Sequence, residues 1–172
     1  LVDAIELIDE QLSEDVTVIL AGTGPEYERI ETDVGTRGLQ HRIHLVGHLD
    51  QLALSEVYAS ASIGVLPGTP SYTSPTKLLE YASHGLAIVA PDCAGVRDLF
   101  TNAKNALLVD PEVAELADAL LRLQDQDTCD ALADNGSQLA ASWTWRRVVE
   151  TTLRFLVEAH CNATPRFKRR RP

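Results

Sequence analysis

The chain has 172 residues, of which 45% are hydrophobic and 23% are charged. This balance is typical of one globular domain and excludes wholesale disorder. No apolar run approaches the ~20 residues of a membrane-spanning helix, and the acidic first residues lack the basic region of a signal peptide.

The net charge of −10 is unevenly placed, because five basic residues lie in 166–172 and leave 10 basic and 25 acidic residues in 1–165. Such an acidic body repels phosphate backbones, so nucleic acid is not an expected partner. We interpret 161–172 as a basic disordered tail that follows a domain of residues 1–160. Three scattered cysteines without a CxxC pair indicate reduced thiols in a cytoplasmic protein. Peripheral contact of the tail with acidic lipid headgroups stays open.

Short apolar runs alternate with amphipathic stretches along most of the chain. The β-branched runs predict buried strands, and the helical spacing of apolar residues between them predicts helices. This alternation predicts an α/β fold, a Rossmann-like parallel sheet with helices on both faces and a C-terminal helical segment. The predicted strands are 16–21, 43–46, 62–66, 87–90 and 106–109, and the predicted helices are 1–12, 25–36, 52–59, 74–84, 96–100, 111–124, 128–141 and 145–160.

In such a fold, ligands bind beyond the carboxyl ends of the strands, so the loops that follow the strands are candidate sites. Gly22 and Gly24 lie in the turn after the first predicted strand, where a helix start presents free amides to an anion. A plain tight turn explains these glycines equally well, because the spacing is not GxGxxG.

A richer group of polar residues lies at the start of the helix that follows the third predicted strand. Ser74, Thr76 and Lys77 combine a helix N-terminus with an ammonium, which suits a phosphate or a diphosphate. Glu80 lies one turn further along the same face, and an acid there suits the two hydroxyls of a ribose. Spacing alone favours a capped helix with an ordinary surface lysine and glutamate.

Five motifs occur in an order that resembles a known family. They are Val-Ile-Leu-Ala-Gly-Thr-Gly-Pro-Glu (18–26), Ile-His-Leu-Val-Gly (43–47), Val-Tyr-Ala-Ser-Ala-Ser-Ile-Gly-Val-Leu-Pro (57–67), Ser-Pro-Thr-Lys-Leu-Leu-Glu-Tyr-Ala (74–82) and Gly-Val-Arg-Asp-Leu (95–99). Together they resemble the C-terminal, donor-binding half of family 4 (group 1) glycosyltransferases, retaining enzymes with the GT-B fold. The resemblance runs from about residue 1 to residue 158 and implies a nucleotide-diphosphate-sugar donor. We expect no cofactor, and the sequence contains no evident metal-ligand cluster, consistent with a metal-independent diphosphate site.

The resemblance also implies roles for the glycine turns. Gly22 and Gly24 would lie near the donor diphosphate or nucleotide. Val46 and Gly47, at the end of the second predicted strand, would border the base. The acceptor stays open between a lipid, a protein and a small molecule.

At the later helix start, the resemblance implies that Ser74, Thr76 and Lys77 contact the phosphates. Lys77 would stabilise the charge of the departing diphosphate, and Glu80 would bind the ribose and orient the nucleotide. Lys77 and Glu80 are therefore the expected catalytic residues. One departure is Tyr72, which occupies the position of the first glutamate in the family's Glu-x7-Glu motif.

A second departure lies at the beginning of the chain. In the family, the donor half opens with a central strand that carries an arginine, and a lysine follows; both would be absent here, together with the acceptor-binding half. We expect that half in the same or a neighbouring chain. Without the strand, the strands at 16–21 and 62–66 would carry unpaired backbone groups, so we expect the lone chain to be marginally stable and catalytically inactive.

Other candidate sites are weaker. His41, His44 and His48 are spaced across a strand and would not converge on a metal ion, and Cys93 has no evident activating partner. Two alternatives to a transferase stay open: a nucleotide-sugar epimerase of the same fold, and a non-catalytic nucleotide-binding module.

Overall fold

The computed structural model describes residues 1–68 and 76–163, the last three as backbone only. Its helices and strands alternate as the sequence predicts. In chain order they are α1 (Val2–Ile8), β1 (Val18–Ala21), α2 (Tyr27–Thr36), β2 (Ile43–Gly47), α3 (Gln51–Ser60), β3 (Ile63–Val65), α4 (Thr76–Ser83), β4 (Ala87–Pro91), α5 (Ala94–Arg97), β5 (Leu107–Val109), α6 (Val113–Arg122), α7 (Gln126–Ser142) and α8 (Trp145–Ala163). Short 3-10 turns occur at Asp9–Gln11 and Leu39–His41.

All strand pairs among the described residues are parallel, which confirms the predicted fold class. The strands form two sheets, one of order β1-β2 and one of order β3-β4-β5. β1 and β3 therefore each pair along one edge only among the described residues. Within the described residues, β4 alone is paired along both edges.

The core has two parts, and β4 separates them. Ala87 and Val89 belong to the larger hydrophobic cluster, with buried residues of α1, α2, α6 and α7. Ile88 and Ala90 face the smaller cluster, with buried residues of α4 and α5. The alternation follows from the two-residue period of a strand. Helices thus cover both faces of the sheet, as the sequence predicts.

Helix α4, which carries the predicted phosphate-binding residues, is held by glycines at two places. Gly85, two residues after the last residue of the helix, adopts a left-handed φ of +75°, a conformation that favours glycine at a helix C-terminus. Gly64 on β3 leaves space for the ring of Tyr81, because a Cβ atom there would lie 2.5 Å from the ring carbon Cδ2. These two positions fix where α4 ends and how closely it approaches the sheet.

Some element boundaries differ from the prediction. Helix α5 begins at Ala94, so Gly95 is helical instead of part of a loop. The reason is that the Cys93 carbonyl accepts hydrogen bonds from the amides of Val96 and Arg97, at 3.1 and 2.9 Å. At the C-terminus, α8 continues to Ala163, into the segment predicted as a tail, and residues 164–172 lie outside the described residues.

Helix α8 lies on the outside of the described part of the chain, because every side chain from 145 to 160 is exposed. Several of these side chains are large and apolar: Trp145, Val148, Val149, Leu153, Phe155, Leu156 and Val157. None of the described helices has both the length and the apolar character needed to cross a bilayer.

Candidate functional site

The carboxyl ends of β1 and β2 bring the predicted glycines together. The amide of Gly22 donates to the carbonyl of Gly47 at 2.7 Å, which continues the pairing of the two strands by one residue. The carbonyl of Gly24 accepts from the amide of Tyr27 at 3.1 Å. The Tyr27 hydroxyl in turn donates to the carbonyl of Leu45 at 3.4 Å, so the start of α2 is tied to β2.

The backbone at this end of the sheet is open. Gly22 and Gly47 have φ angles of +139° and +68°, which L-residues with a side chain rarely adopt. A Cβ atom at Gly22, Gly24 or Gly47 would meet nothing within 4 Å. Val46, which precedes Gly47 in β2, is 41% exposed. A ligand can therefore approach the main chain closely here, with one apolar side chain at its border.

The second group of predicted residues lies at the start of α4. Thr76 is the first residue of this helix, and the side chains of Thr76, Lys77 and Glu80 are all exposed. Ser74 and Tyr72 lie outside the described residues, so the contact predicted for Ser74 is an expectation from the sequence alone.

Lys77 and Glu80 form an ion pair one helical turn apart. The Nζ atom of Lys77 lies 3.1 Å from Oε2 of Glu80, and the two side chains are 47% and 51% exposed. Partial burial of the ammonium disfavours its charged form, but the Glu80 carboxylate and the Tyr58 hydroxyl outweigh this effect. The pKa of Lys77 is therefore raised above its ordinary value, and the group is a cation at neutral pH.

The structure adds Tyr58 of α3 to this pair, a residue not singled out from the sequence. Its hydroxyl lies 3.4 Å from Oε2 of Glu80 and 3.5 Å from Nζ of Lys77. Its ring packs against Tyr81 and His84 of the segment that contains α4. The motif at 57–67 includes Tyr58, but nothing in its spacing indicates a contact with a residue 22 positions later.

One group of predicted residues lies at the ends of β1 and β2, and the other lies at the start of α4. Among the described residues, no hydrogen bond or ion pair connects the two groups. The first group lies on the sheet of β1 and β2, and the second lies on α4, between β3 and β4 of the other sheet along the chain. Both sheets contribute to the larger hydrophobic cluster. Two surface depressions, of about 460 and 310 Å³, lie elsewhere: one is lined by α2 and the other mainly by α7 and the loop before β5.

The remaining candidates do not assemble into a site in the described part of the chain. Nδ1 of His41 lies 3.0 Å from the Gly38 carbonyl, and its Nε2 lies near Asp9. No group of three metal-ligating side chains occurs among the described residues. Arg97 pairs with Asp92 at 3.4 Å.

Comparison with known proteins places these features in a family. A family described as "Glycosyl transferases group 1" matches residues 1–126. The chain belongs to this family. Among curated relatives, it is 28% identical over 130 residues to the alpha-D-kanosaminyltransferase of Streptomyces kanamyceticus, covering 74% of this chain and 33% of the relative. The chain spans about a third or less of the length of the curated relatives it matches.

Solved structures of glycosyltransferases share the fold. The C-terminal domain of a glycosyl transferase group 1 family protein (LpcC) from Francisella tularensis superposes with a TM-score of 0.73 at 21% identity, covering 82% of this chain and 75% of that one. The pneumococcal O-GlcNAc transferase GtfA, solved with UDP and GlcNAc, superposes with a TM-score of 0.75 at 18% identity. That match covers 91% of this chain and 32% of GtfA. The fold of this glycosyltransferase-family chain is therefore that of one half of a GT-B enzyme, as the resemblance implied.

Proposed function

We propose that this chain is the donor-binding half of a retaining glycosyltransferase that uses a nucleotide-diphosphate sugar. The observation that carries the proposal is the half-exposed pair of Lys77 and Glu80 at the start of α4. Family membership supports sugar transfer in general. The UDP in the solved GtfA structure supports the choice of a nucleotide-linked donor.

In this proposal, Lys77 binds the donor diphosphate together with Thr76 and the free amides at the start of α4. The expected contact of Ser74 belongs to the same group. Half-exposed ion pairs contribute only about 0.2–1 kcal/mol, so a diphosphate can draw Lys77 away from Glu80 at little cost. As the glycosidic bond to the diphosphate breaks, the Lys77 cation stabilises the charge that develops on the leaving group.

Glu80 then binds the ribose, because one carboxylate can accept hydrogen bonds from two neighbouring hydroxyls. We assign Gly22 and Gly24 to the vicinity of the diphosphate or nucleotide, since their open backbone allows close approach. Val46 and Gly47 border the base, where the exposed Val46 offers an apolar contact.

We further propose that this chain binds the donor but transfers no sugar on its own. The matched part of this chain covers only 33%, 29% and 33% of the length of three of the curated relatives. The acceptor, whether a lipid, a protein or a small molecule, would then be bound by a part of the enzyme outside these residues.

Titration calorimetry of the purified chain with UDP, GDP and their sugar conjugates tests the donor site. We expect one base to be preferred, and Glu80→Ala to weaken binding at least ~10-fold, because hydrogen bonds to a charged group contribute about 1.5–3 kcal/mol each. Glu115→Ala is the matched control, since it removes another exposed glutamate, on α6.

Three outcomes would contradict the proposal. The first is a chain that circular dichroism shows to be folded but that binds none of these nucleotides at millimolar concentration. The second is equal binding by wild type and Glu80→Ala. The third is conversion of the donor sugar to its epimer in the absence of an acceptor, which would identify an epimerase in place of a transferase.

A further inference from the structure

Tyr58 connects the buried part of the chain to the exposed Lys77–Glu80 pair. The residue is 8% exposed, whereas the side chains of Lys77 and Glu80 are about half exposed. A phenol can donate one hydrogen bond and accept others. At 3.4 Å from Oε2 of Glu80 and 3.5 Å from Nζ of Lys77, the hydroxyl can donate to the carboxylate while it accepts from the ammonium.

The position of this hydroxyl is determined by the packing of its ring. The Tyr81 ring meets it edge-on, with centroids 5.6 Å apart and planes at 80°. The His84 ring lies 4.8 Å away, and its Nδ1 atom is 2.9 Å from the Glu80 carbonyl oxygen. Tyr81 is in turn seated over Gly64. Ring packing therefore fixes the phenol oxygen of Tyr58 in contact with two long, exposed side chains, those of Lys77 and Glu80.

We propose that Tyr58 is a positioning residue of the donor site, which holds the Glu80 carboxylate in its binding orientation and keeps the Lys77 ammonium beside it until a diphosphate arrives. This inference rests on the donor-site function proposed above. Ordering a glutamate or lysine side chain costs rotamer entropy, and a site that is ordered before binding does not lose that entropy when the ligand arrives. Once a diphosphate has taken Lys77, the Tyr58 hydroxyl is the contact that keeps Glu80 directed at the ribose.

The test compares Tyr58→Phe with Tyr81→Phe, in titrations with the nucleotide that the wild-type chain binds best. Both variants keep the aromatic ring and remove one hydroxyl. Among the described residues, the Tyr81 hydroxyl has no hydrogen-bond partner, so it serves as the matched control. We expect Tyr58→Phe to weaken nucleotide binding at least ~5-fold and Tyr81→Phe to change it less than ~2-fold. Melting curves of both variants verify that the fold is intact.

A second readout separates positioning from a general loss of packing. The chain has three lysines, Lys77, Lys104 and Lys168. Reductive ¹³C-dimethylation keeps their charge and gives each a separate NMR signal. Since contact with the Tyr58 hydroxyl helps to raise the pKa of Lys77, we expect the Lys77 signal to titrate at lower pH in Tyr58→Phe. The signals of Lys104 and Lys168 are the internal references and are expected not to move.

The possible failures are distinguishable. If the wild-type chain binds nucleotide and Tyr58→Phe binds it equally well, the positioning role is wrong and the donor site stands. If affinity falls while the Lys77 titration is unchanged, Tyr58 does not act through the pair, and the proposal is overturned. If the folded wild-type chain binds no nucleotide, the donor-site proposal fails and this role fails with it.

Discussion

Arg42 is a charged residue in the interior of the chain, with only 7% of its surface exposed. Its guanidinium donates to the Asp9 carboxylate at 2.7 Å and to the backbone carbonyls of Ser13 and Val16 at 2.6 and 3.1 Å. It also reaches the carbonyl of Leu12 at 3.2 Å. The Arg42 side chain thus supplies hydrogen-bond donors to the backbone carbonyls of the turn from α1 to β1, a segment that forms few backbone hydrogen bonds of its own.

We predict that Arg42→Ala lowers the free energy of unfolding by about 2–4 kcal/mol, because it leaves several partly or fully buried backbone carbonyls without a donor and removes the arginine partner of Asp9. Urea denaturation followed by circular dichroism measures the loss. Arg154→Ala removes the same charge from the exposed face of α8 and should change stability by less than about 0.5 kcal/mol. Equal losses in the two variants would show that Arg42 does not stabilise the turn.

The contact between Arg42 and Asp9 also makes part of the folding stability depend on pH. The hydrogen bond from Arg42 lowers the pKa of Asp9 below its ordinary value. A lowered pKa stabilises the folded state at pH values above the unfolded pKa of ~3.9, and this stabilisation is lost as the pH falls through the folded value. The difference in stability between wild type and Arg42→Ala should therefore shrink below about pH 4. An undiminished difference at pH 3 would contradict this assignment.

Helices α7 and α8 differ in how much of their surface is buried by neighbouring elements. Both are predicted from sequence with boundaries close to those observed. Helix α7 packs against α4 and β4 and buries Cys129, Leu132 and Gly136. Helix α8 buries none of its described side chains. Periodicity predicts an apolar face in each, but it contains no information on whether another element covers that face.

We predict that Leu132→Ala costs about 2–4 kcal/mol of stability, since this side chain is 4% exposed and its removal leaves a cavity. Leu156→Ala on α8 should change stability by less than about 0.5 kcal/mol, because this leucine is 55% exposed. Paired thermal and urea denaturation curves measure both values. A large loss for Leu156→Ala would mean that α8 is covered in solution, for example by a second copy, which the molecular mass from light scattering would reveal.

At the scale of the whole molecule, the described strands form two separate sheets that pack against one common hydrophobic cluster. The larger cluster includes residues of α1 and α6 and residues of β4 and β5, and partly buried residues of β1, β2 and β3 pack against it. Apolar contact therefore joins two sheets that no described backbone hydrogen bond connects. We expect one cooperative unfolding transition with unequal local stability.

Native-state hydrogen exchange can measure that inequality. Amides of β4, which is paired along both edges, should exchange the slowest. Amides of β1 and β3 that face their unpaired edges should exchange at least ~10-fold faster, since water reaches them without disruption of a strand pair. Uniform protection from β1 to β5 would show that the two sheets are closed by another segment or chain in solution.

The order of the strands and helices, their parallel arrangement and the family could all be predicted from the amino-acid sequence. Each of these depends on local signals: β-branched runs, helical periodicity, glycines at turns and short motifs in a fixed order. The sequence also predicted that Gly22, Gly24, Val46 and Gly47 lie at the ends of the first two strands and that Thr76, Lys77 and Glu80 lie in the helix after the third strand, and the structure has them in these elements.

Which residues contact one another, in contrast, depends on how the strands and helices pack. Gly22 bonds to Gly47, which lies 25 residues later. Tyr58 contacts Glu80 across 22 residues, and Arg42 contacts Asp9 across 33 residues. Such contacts depend on the register of the strands and on the packing of helices against them. No periodicity in a single sequence specifies these distances, because they are set by the whole core at once.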